Sequence, residues 1–158
     1  IVKKYNFENK FMQLALQEAR QAFEENEVPV GCVIIHNTGN SIVASARNLV
    51  QQTKNPNSHA EILAINRACL ELDNKNLSEC DIYITLEPCT MCAAAIANAR
   101  LRRIYYAAAD TKQGAVENGV RFFNSSSCFH RPEIYTGILE EESVNLMQKF
   151  FNNIRNRS

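Results

Sequence analysis

Two short clusters, each opening a helical stretch, constrain this chain more than any other feature. Ser58-His59-Ala60-Glu61 leads into an apolar-periodic segment from about Ala60 to Leu72. Glu87-Pro88-Cys89-Thr90-Met91-Cys92 leads into an Ala-rich segment through Asn98. Singly, each has an ordinary explanation: a histidine at a helix start caps or packs, and a Cys-x-x-Cys pair serves redox chemistry, half a structural zinc site, or nothing. Together they specify one ion. If His59, Cys89 and Cys92 hold a metal in common, the fold must deliver two helix N-termini to the same point.

The chemistry favours that reading. Cysteines three apart at a helix start project from one face, so both sulfurs reach one ion. The unpaired N–H groups there favour thiolate, and Pro88 suits a position with no hydrogen bond to lose. With a histidine nitrogen the set has three protein ligands, leaving a tetrahedral zinc one position for water, the arrangement of catalytic sites. Glu61 is the residue that a structural site does not need: a carboxylate beside such a water can take its proton and pass it on. Alone, Glu61 reads as a solvated helix carboxylate; beside the three ligands it reads as the proton carrier. A thiol redox pair leaves His59 and Glu61 without roles. A closed zinc finger wants a fourth ligand, for which only the distant Cys128 and His130 offer themselves, in loop-like surroundings.

The remaining segments give the frame. Residues 7–25 place Phe7, Phe11, Leu14, Ala15, Ala22 and Phe23 at helical spacing. Val30 to Ile35 and Ser41 to Ala46 flank the turn Asn37-Thr38-Gly39-Asn40 and read as a hairpin. The polar stretch from Gln51 to Ser58 carries Pro56 and the cap-like Asn57 and Ser58. Asp81 to Leu86, Ile104 to Ala108 and the short Ile134 to Thr136 read as strands, a loop-rich region spans Asp110 to Pro132, and Glu140 to Arg155 closes the chain as a helix. The order predicts helices packed on a mixed, five-stranded sheet. With 158 residues and no linker, repeat or low-complexity tract, residues 1–158 are expected to form a single domain.

Composition excludes little. Lysine plus arginine and aspartate plus glutamate are both 17, so the balance neither advertises nor forbids a nucleic-acid partner. No apolar run reaches membrane-spanning length and Ile1 to Asn6 opens no signal-peptide core, so no membrane association is expected. Of six cysteines, Cys32 and Cys69 read as core thiols, Cys80 and Cys128 receive no role, and only Cys89 and Cys92 form a local motif. A reducing, cytoplasmic setting fits that usage. His36 reads as a satisfied strand-end residue.

His-Ala-Glu followed by Pro-Cys-x-x-Cys resembles the signature of the cytidine deaminase-like superfamily. Glu27-Val28-Pro29-Val30-Gly31, Asp110-Thr111-Lys112-Gln113-Gly114-Ala115, Gly137-Ile138-Leu139 and Phe150-Phe151 extend the resemblance to its bacterial tRNA adenosine deaminase branch, over nearly the whole chain. The resemblance implies a three-layer α/β/α fold and one Zn2+ per chain. It also implies a homodimer, with RNA bound across the subunit interface. The implied reaction is attack of zinc-bound hydroxide on C6 of the wobble adenosine in a tRNA anticodon stem-loop, with Glu61 as proton shuttle, giving inosine and ammonia. By the same resemblance Asn48 contacts base and ribose, Val30 lines the base pocket, and Asp110, Lys112 and Phe151 hold flanking nucleotides. At least one of Phe150 and Phe151 is expected simply to pack the last helix.

The chain departs from the branch in two places. Leu49-Val50 follows Asn48 where Arg-Pro is usual, and Asn152-Asn153 follows the Phe pair where arginines are usual. Both remove positive charge from positions expected to meet phosphate; Arg100, Arg102 and Arg103 form a cluster able to compensate, or a solvated edge. A zinc-dependent deaminase of a free base or nucleoside, of guanine or cytidine type, is the alternative that shares the metal site. A non-catalytic zinc-dependent subunit would be expected to lack Glu61.

Overall fold

In the computed structural model, residues 2–4 and 9–157 are described, with Lys4 described in its backbone alone. Strand β1 (Val2–Lys4) is followed by α1 (Lys10–Glu24), β2 (Gly31–His36), β3 (Ser41–Arg47), the single-turn α2 (Val50–Thr53), α3 (Ala60–Leu72), β4 (Cys80–Leu86), α4 (Thr90–Ala99), β5 (Arg103–Ala108), a 3₁₀ turn at Phe122–Asn124, β6 (Glu133–Thr136) and α5 (Glu140–Arg157). Phe7, part of the expected first helix, lies outside the described residues.

The strands form one sheet in the order β1-β6-β5-β4-β2-β3. The β1–β6, β6–β5 and β5–β4 pairs are parallel, and β4–β2 and β2–β3 are antiparallel. Among the described residues the sheet therefore has six strands rather than the expected five. Strand β1 escaped notice because three residues carry too little alternation to read; only pairing of Val2 with Ile134 and Lys3 with Tyr135 makes them a strand.

Alternation along the strands sorts two apolar layers. Cys32, Ile34, Ile82, Ile84, Ile104 and Tyr106 face α3 and α4, packing on Ala60, Ala64, Ala68 and Ile96. Val33, Ile35, Tyr83, Tyr105 and Tyr135 face the other way, against Phe11, Met12 and Ala15 of α1. There, Tyr83, Tyr105 and Tyr135 stack across three parallel strands with ring centroids 4.3 and 5.0 Å apart. Helix α5 joins α1 on this face through Phe23 against Phe150 and a hydrogen bond from the Ser143 hydroxyl to the Thr85 carbonyl. The result is the expected α/β/α arrangement. Strand β2 lies inside the sheet with helices on both faces, which is why it reads as an unbroken apolar run.

Local chemistry sets the element ends. The Asn9 side chain accepts from the N–H groups of Phe11 and Met12 and starts α1. In α5, Glu140, Glu141 and Glu142 lie in the first turn and Arg155 and Arg157 in the last, matching the helix dipole at both ends. Helix α1 crosses β2 so closely that a Cβ on Gly31 would overlap the Ala15 carbonyl and lie 2.6 Å from the Ala19 nitrogen. We expect Gly31→Ala to destabilise the protein by about 2–3 kcal/mol, the usual range for overpacking against backbone, measured as a lowered urea midpoint at unchanged slope. An unchanged midpoint would contradict that packing.

Candidate active site

The site lies where the carboxyl end of β4 turns into α4 and where α3 begins beside it. After β3, Asn48 turns inward and its Oδ1 accepts from the Ala60 N–H at 2.8 Å. The Cys32 thiol donates to the Ala60 carbonyl at 3.2 Å. Ala60 is thus held from both sides, which fixes His59 before it and Glu61 after it. The cap of α3 is therefore supplied by Asn48 and not by the cap-like Asn57 or Ser58. Ser58 instead accepts from the Thr53 hydroxyl, and His59 occupies the N-cap position without a side-chain cap bond.

Cys89 is the N-cap residue of α4 and Cys92 lies in its first turn. His59 Nδ1 is 3.6 Å from Cys89 Sγ and 3.5 Å from Cys92 Sγ, and all three donor atoms lie within 4.8 Å of one another. Zinc bonds of about 2.0 Å to nitrogen and about 2.3 Å to sulfur, meeting at a tetrahedral angle, put those atoms about 3.6 Å apart. One nitrogen and two sulfurs at that spacing fit zinc. The Cys89 thiol is held down to about 4, first by its hydrogen bond with Cys92 and then by that with His59. The same Cys89–Cys92 hydrogen bond, with burial, pushes the Cys92 thiol up. The contact with Cys89 raises His59.

Glu61 is 4% exposed. Burial, the largest cause, pushes its carboxyl up to about 7, and the nearby Cys89 adds to the rise. A group there both takes and returns a proton at neutral pH.

These groups open onto a cleft of about 1070 Å³. Val30, Asn48, His59, Glu61 and Cys89 line it, as do Asp110, Lys112 and Phe151 of α5. Of the nine residues singled out in the sequence, only Cys92 does not line it; that side chain lies buried beneath. Val30 and Asn48 are nearly buried, with Asn48 Oδ1 committed to Ala60. Asp110 Oδ1 accepts from the N–H groups of Lys112 and Gln113, shaping its own turn. Phe150 is buried, whereas Phe151 is 42% exposed.

Two buried carboxylates that sequence reasoning passed over shape the cleft walls. Glu27 accepts from the N–H groups of Gln51 and Gln52, each at 2.9 Å, holding the turn α2. Glu87 takes five hydrogen bonds from the segment 110–118: from the N–H groups of Asp110, Val116, Glu117 and Asn118 and from Asn118 Nδ2. The available signal was each carboxylate's place beside a short apolar motif, Val28-Pro29-Val30 or Pro88-Cys89.

Other candidates lie elsewhere. His130 Nε2 is 2.7 Å from the Leu101 carbonyl and the Cys128 thiol donates to the His130 carbonyl, so neither joins the triad. Arg102 pairs with Asp81 and Arg103 with Glu133 at the amino end of β5, away from the cleft. His36 accepts from the Thr38 N–H. All six cysteines are free thiols. No described helix is long and apolar enough to cross a membrane.

Residues 6–155 match the MafB19-like deaminase family. The tRNA-specific adenosine deaminase of Rickettsia typhi is 55% identical over 144 residues, covering 91% of this chain and 97% of the relative. A structure solved in a study of A-to-I editing by tRNA:A34 deaminases at the wobble position of transfer RNA superposes with a TM-score of 0.83 at 48% identity, covering 86% of this chain and 97% of that one. A guanine deaminase from Nitrosomonas europaea, at 21% identity and a TM-score of 0.73, shares the fold. The chain belongs to the MafB19-like deaminases and, among them, to the tRNA-specific adenosine deaminases.

Proposed function

We propose that the protein is a tRNA-specific adenosine deaminase that converts the wobble adenosine of an anticodon loop to inosine. The observation that carries this reading is a buried Glu61 carboxyl beside the His59, Cys89 and Cys92 donors, at the floor of an open cleft. Relatives named for that activity, at 48–55% identity, support it.

His59 Nδ1, Cys89 Sγ and Cys92 Sγ are the groups that would hold the metal. Zinc there supplies a Lewis acid that makes water a nucleophile near neutral pH. Glu61 takes one proton of the attacking water and places it on N1 of adenine, then takes the remaining proton from the new C6 hydroxyl and gives it to the departing amine as the C6–N6 bond breaks. The water oxygen becomes the C6 oxygen of inosine and the amino nitrogen leaves as ammonia. Asn48 and Val30 flank the base, the committed Oδ1 of Asn48 leaving its NH2 to meet the nucleoside. Asp110, Lys112 and Phe151 meet flanking nucleotides. The exposed Phe151 ring suits an unstacked base, for which an aromatic face is worth about 1–3 kcal/mol. The proposal extends to a single deaminase domain spanning 1–158, working as a homodimer in the cytoplasm, where free thiols persist.

Purified protein is expected to bind about one zinc per chain, and His59→Ala or Cys92→Ala to lose it, by elemental analysis. Glu61→Gln should keep the metal and lower kcat on an anticodon stem-loop by roughly 10²–10⁴-fold, the usual weight of a proton-transfer group. Turnover near that of wild type would remove Glu61 from the mechanism. A panel of stem-loop, adenosine, guanine, cytidine and dCMP tests the substrate. Turnover of a free base or nucleoside with none on RNA would replace the tRNA reading by the guanine or cytidine type.

Stability of metal-free protein gives a separate test of Glu61. Its folded pKa lies above the ordinary value of 4.5, so its contribution is full below about 4.5 and is lost as pH rises through about 7. Relative to wild type, Glu61→Gln should gain stability over that window in urea unfolding at several pH values. A difference independent of pH would put the carboxyl at its ordinary value.

A further inference from the structure

Residues 110–113 line the cleft and continue into 114–118 without entering any named helix or strand. Four of the segment's backbone N–H groups, those of Asp110, Val116, Glu117 and Asn118, turn to a single buried point, the Glu87 carboxylate, which is 3% exposed. Oε1 accepts from the Asp110 N–H at 3.0 Å and Asn118 Nδ2 at 2.8 Å; Oε2 accepts from the N–H groups of Val116, Glu117 and Asn118 at 3.0–3.1 Å. Five donors thus converge on the two oxygens of one buried side chain. The fit is close on the other side too: a Cβ on Gly114 would fall on the Glu87 carboxylate and on the Asp110 carbonyl. The same segment reaches the metal elbow directly, since Gly114 bridges to Cys89 and the Ala115 N–H donates to the Pro88 carbonyl at 2.9 Å. At its far end the Tyr106 hydroxyl donates to Glu117.

Glu87 sits two residues before Cys89, and its carboxylate oxygens are taken up by the segment that carries Asp110 and Lys112. We propose that Glu87 is a positioning residue for substrate binding, locking the 110–118 wall to the Pro88–Cys89 elbow so that Asp110 and Lys112 are held at a set place relative to the metal donors. The inference rests on the tRNA reading for the identity of the substrate, and on the hydrogen bonds alone for the lock. Because the lock acts on groups that bind flanking nucleotides and not on the reacting atoms, its loss raises KM and leaves kcat nearly unchanged.

The test uses full-length, zinc-loaded protein. Glu87→Gln keeps the shape but turns an NH2 toward backbone donors, and Asn118→Ala removes one arm from outside. Glu87→Gln is expected to keep its zinc and raise KM for the anticodon stem-loop by about tenfold, the weight of a buried donor left unpaired, with kcat within about twofold. Asn118→Ala should shift KM the same way by a smaller factor. In both, amide exchange at Asp110, Val116 and Glu117 should quicken while the β2, β4 and β5 amides stay protected. Unchanged KM with unchanged exchange in segment 110–118 would overturn the proposal. So would a loss of zinc or a uniform rise in exchange across the sheet, which would make Glu87 a residue of general stability. If wild-type protein fails to turn over the stem-loop, the tRNA reading falls, while the exchange experiment still decides whether Glu87 locks the wall.

Discussion

Ala60 is held at both ends of its peptide, its N–H by Asn48 and its carbonyl by Cys32, and the rest of the site depends on that grip. His59 and Glu61 flank that residue on one helix start, so the clamp fixes the backbone that sets His59 Nδ1 3.5 Å from Cys92 Sγ and buries the Glu61 carboxyl beside them. The clamp draws on two neighbouring strands, β2 through Cys32 and the end of β3 through Asn48. The second half of the site hangs from β4, which pairs directly with β2 through contacts such as Cys32 with Ile84. The strand order is thus what puts the two helix starts side by side. A ligand binding where strands end and helices begin follows the general habit of open α/β sheets.

The distribution of charge sets how such a cleft meets RNA. With equal numbers of acidic and basic residues, the chain has no excess field to draw a polyanion from a distance. Arg102 and Arg103, a candidate phosphate surface by sequence, are spent on Asp81 and Glu133 at the other end of β5. Lys112, Phe151 and Arg155 line the cleft, Arg155 donating to the Asn152 side chain. Recognition by a surface of this kind leans on stacking and on contacts to base edges more than on release of counterions.

Legibility followed the reach of each interaction along the chain. The helices and strands carrying strong periodicity fell where their patterns placed them, and the His59, Cys89 and Cys92 cluster was readable because those residue types at that spacing leave few other uses. Strand β1 was not readable, since its identity comes from β6 and not from its own three residues. Asn57 and Ser58 looked like caps because local sequence favours them, but the cap came from Asn48, twelve residues upstream. Glu87 was visible only as a motif letter. Its partners lie 23 to 31 residues on, in a stretch whose composition says no more than loop.

The two buried carboxylates change when the chain pays for order. A loop left loose in the free protein must be immobilised as substrate arrives, and that entropy is subtracted from affinity. Here Glu27 and Glu87 immobilise α2 and segment 110–118 during folding, out of the same free energy that buries the core. Substrate then meets walls already in place, so contact energy made in the cleft goes into holding the nucleoside and not into building its container.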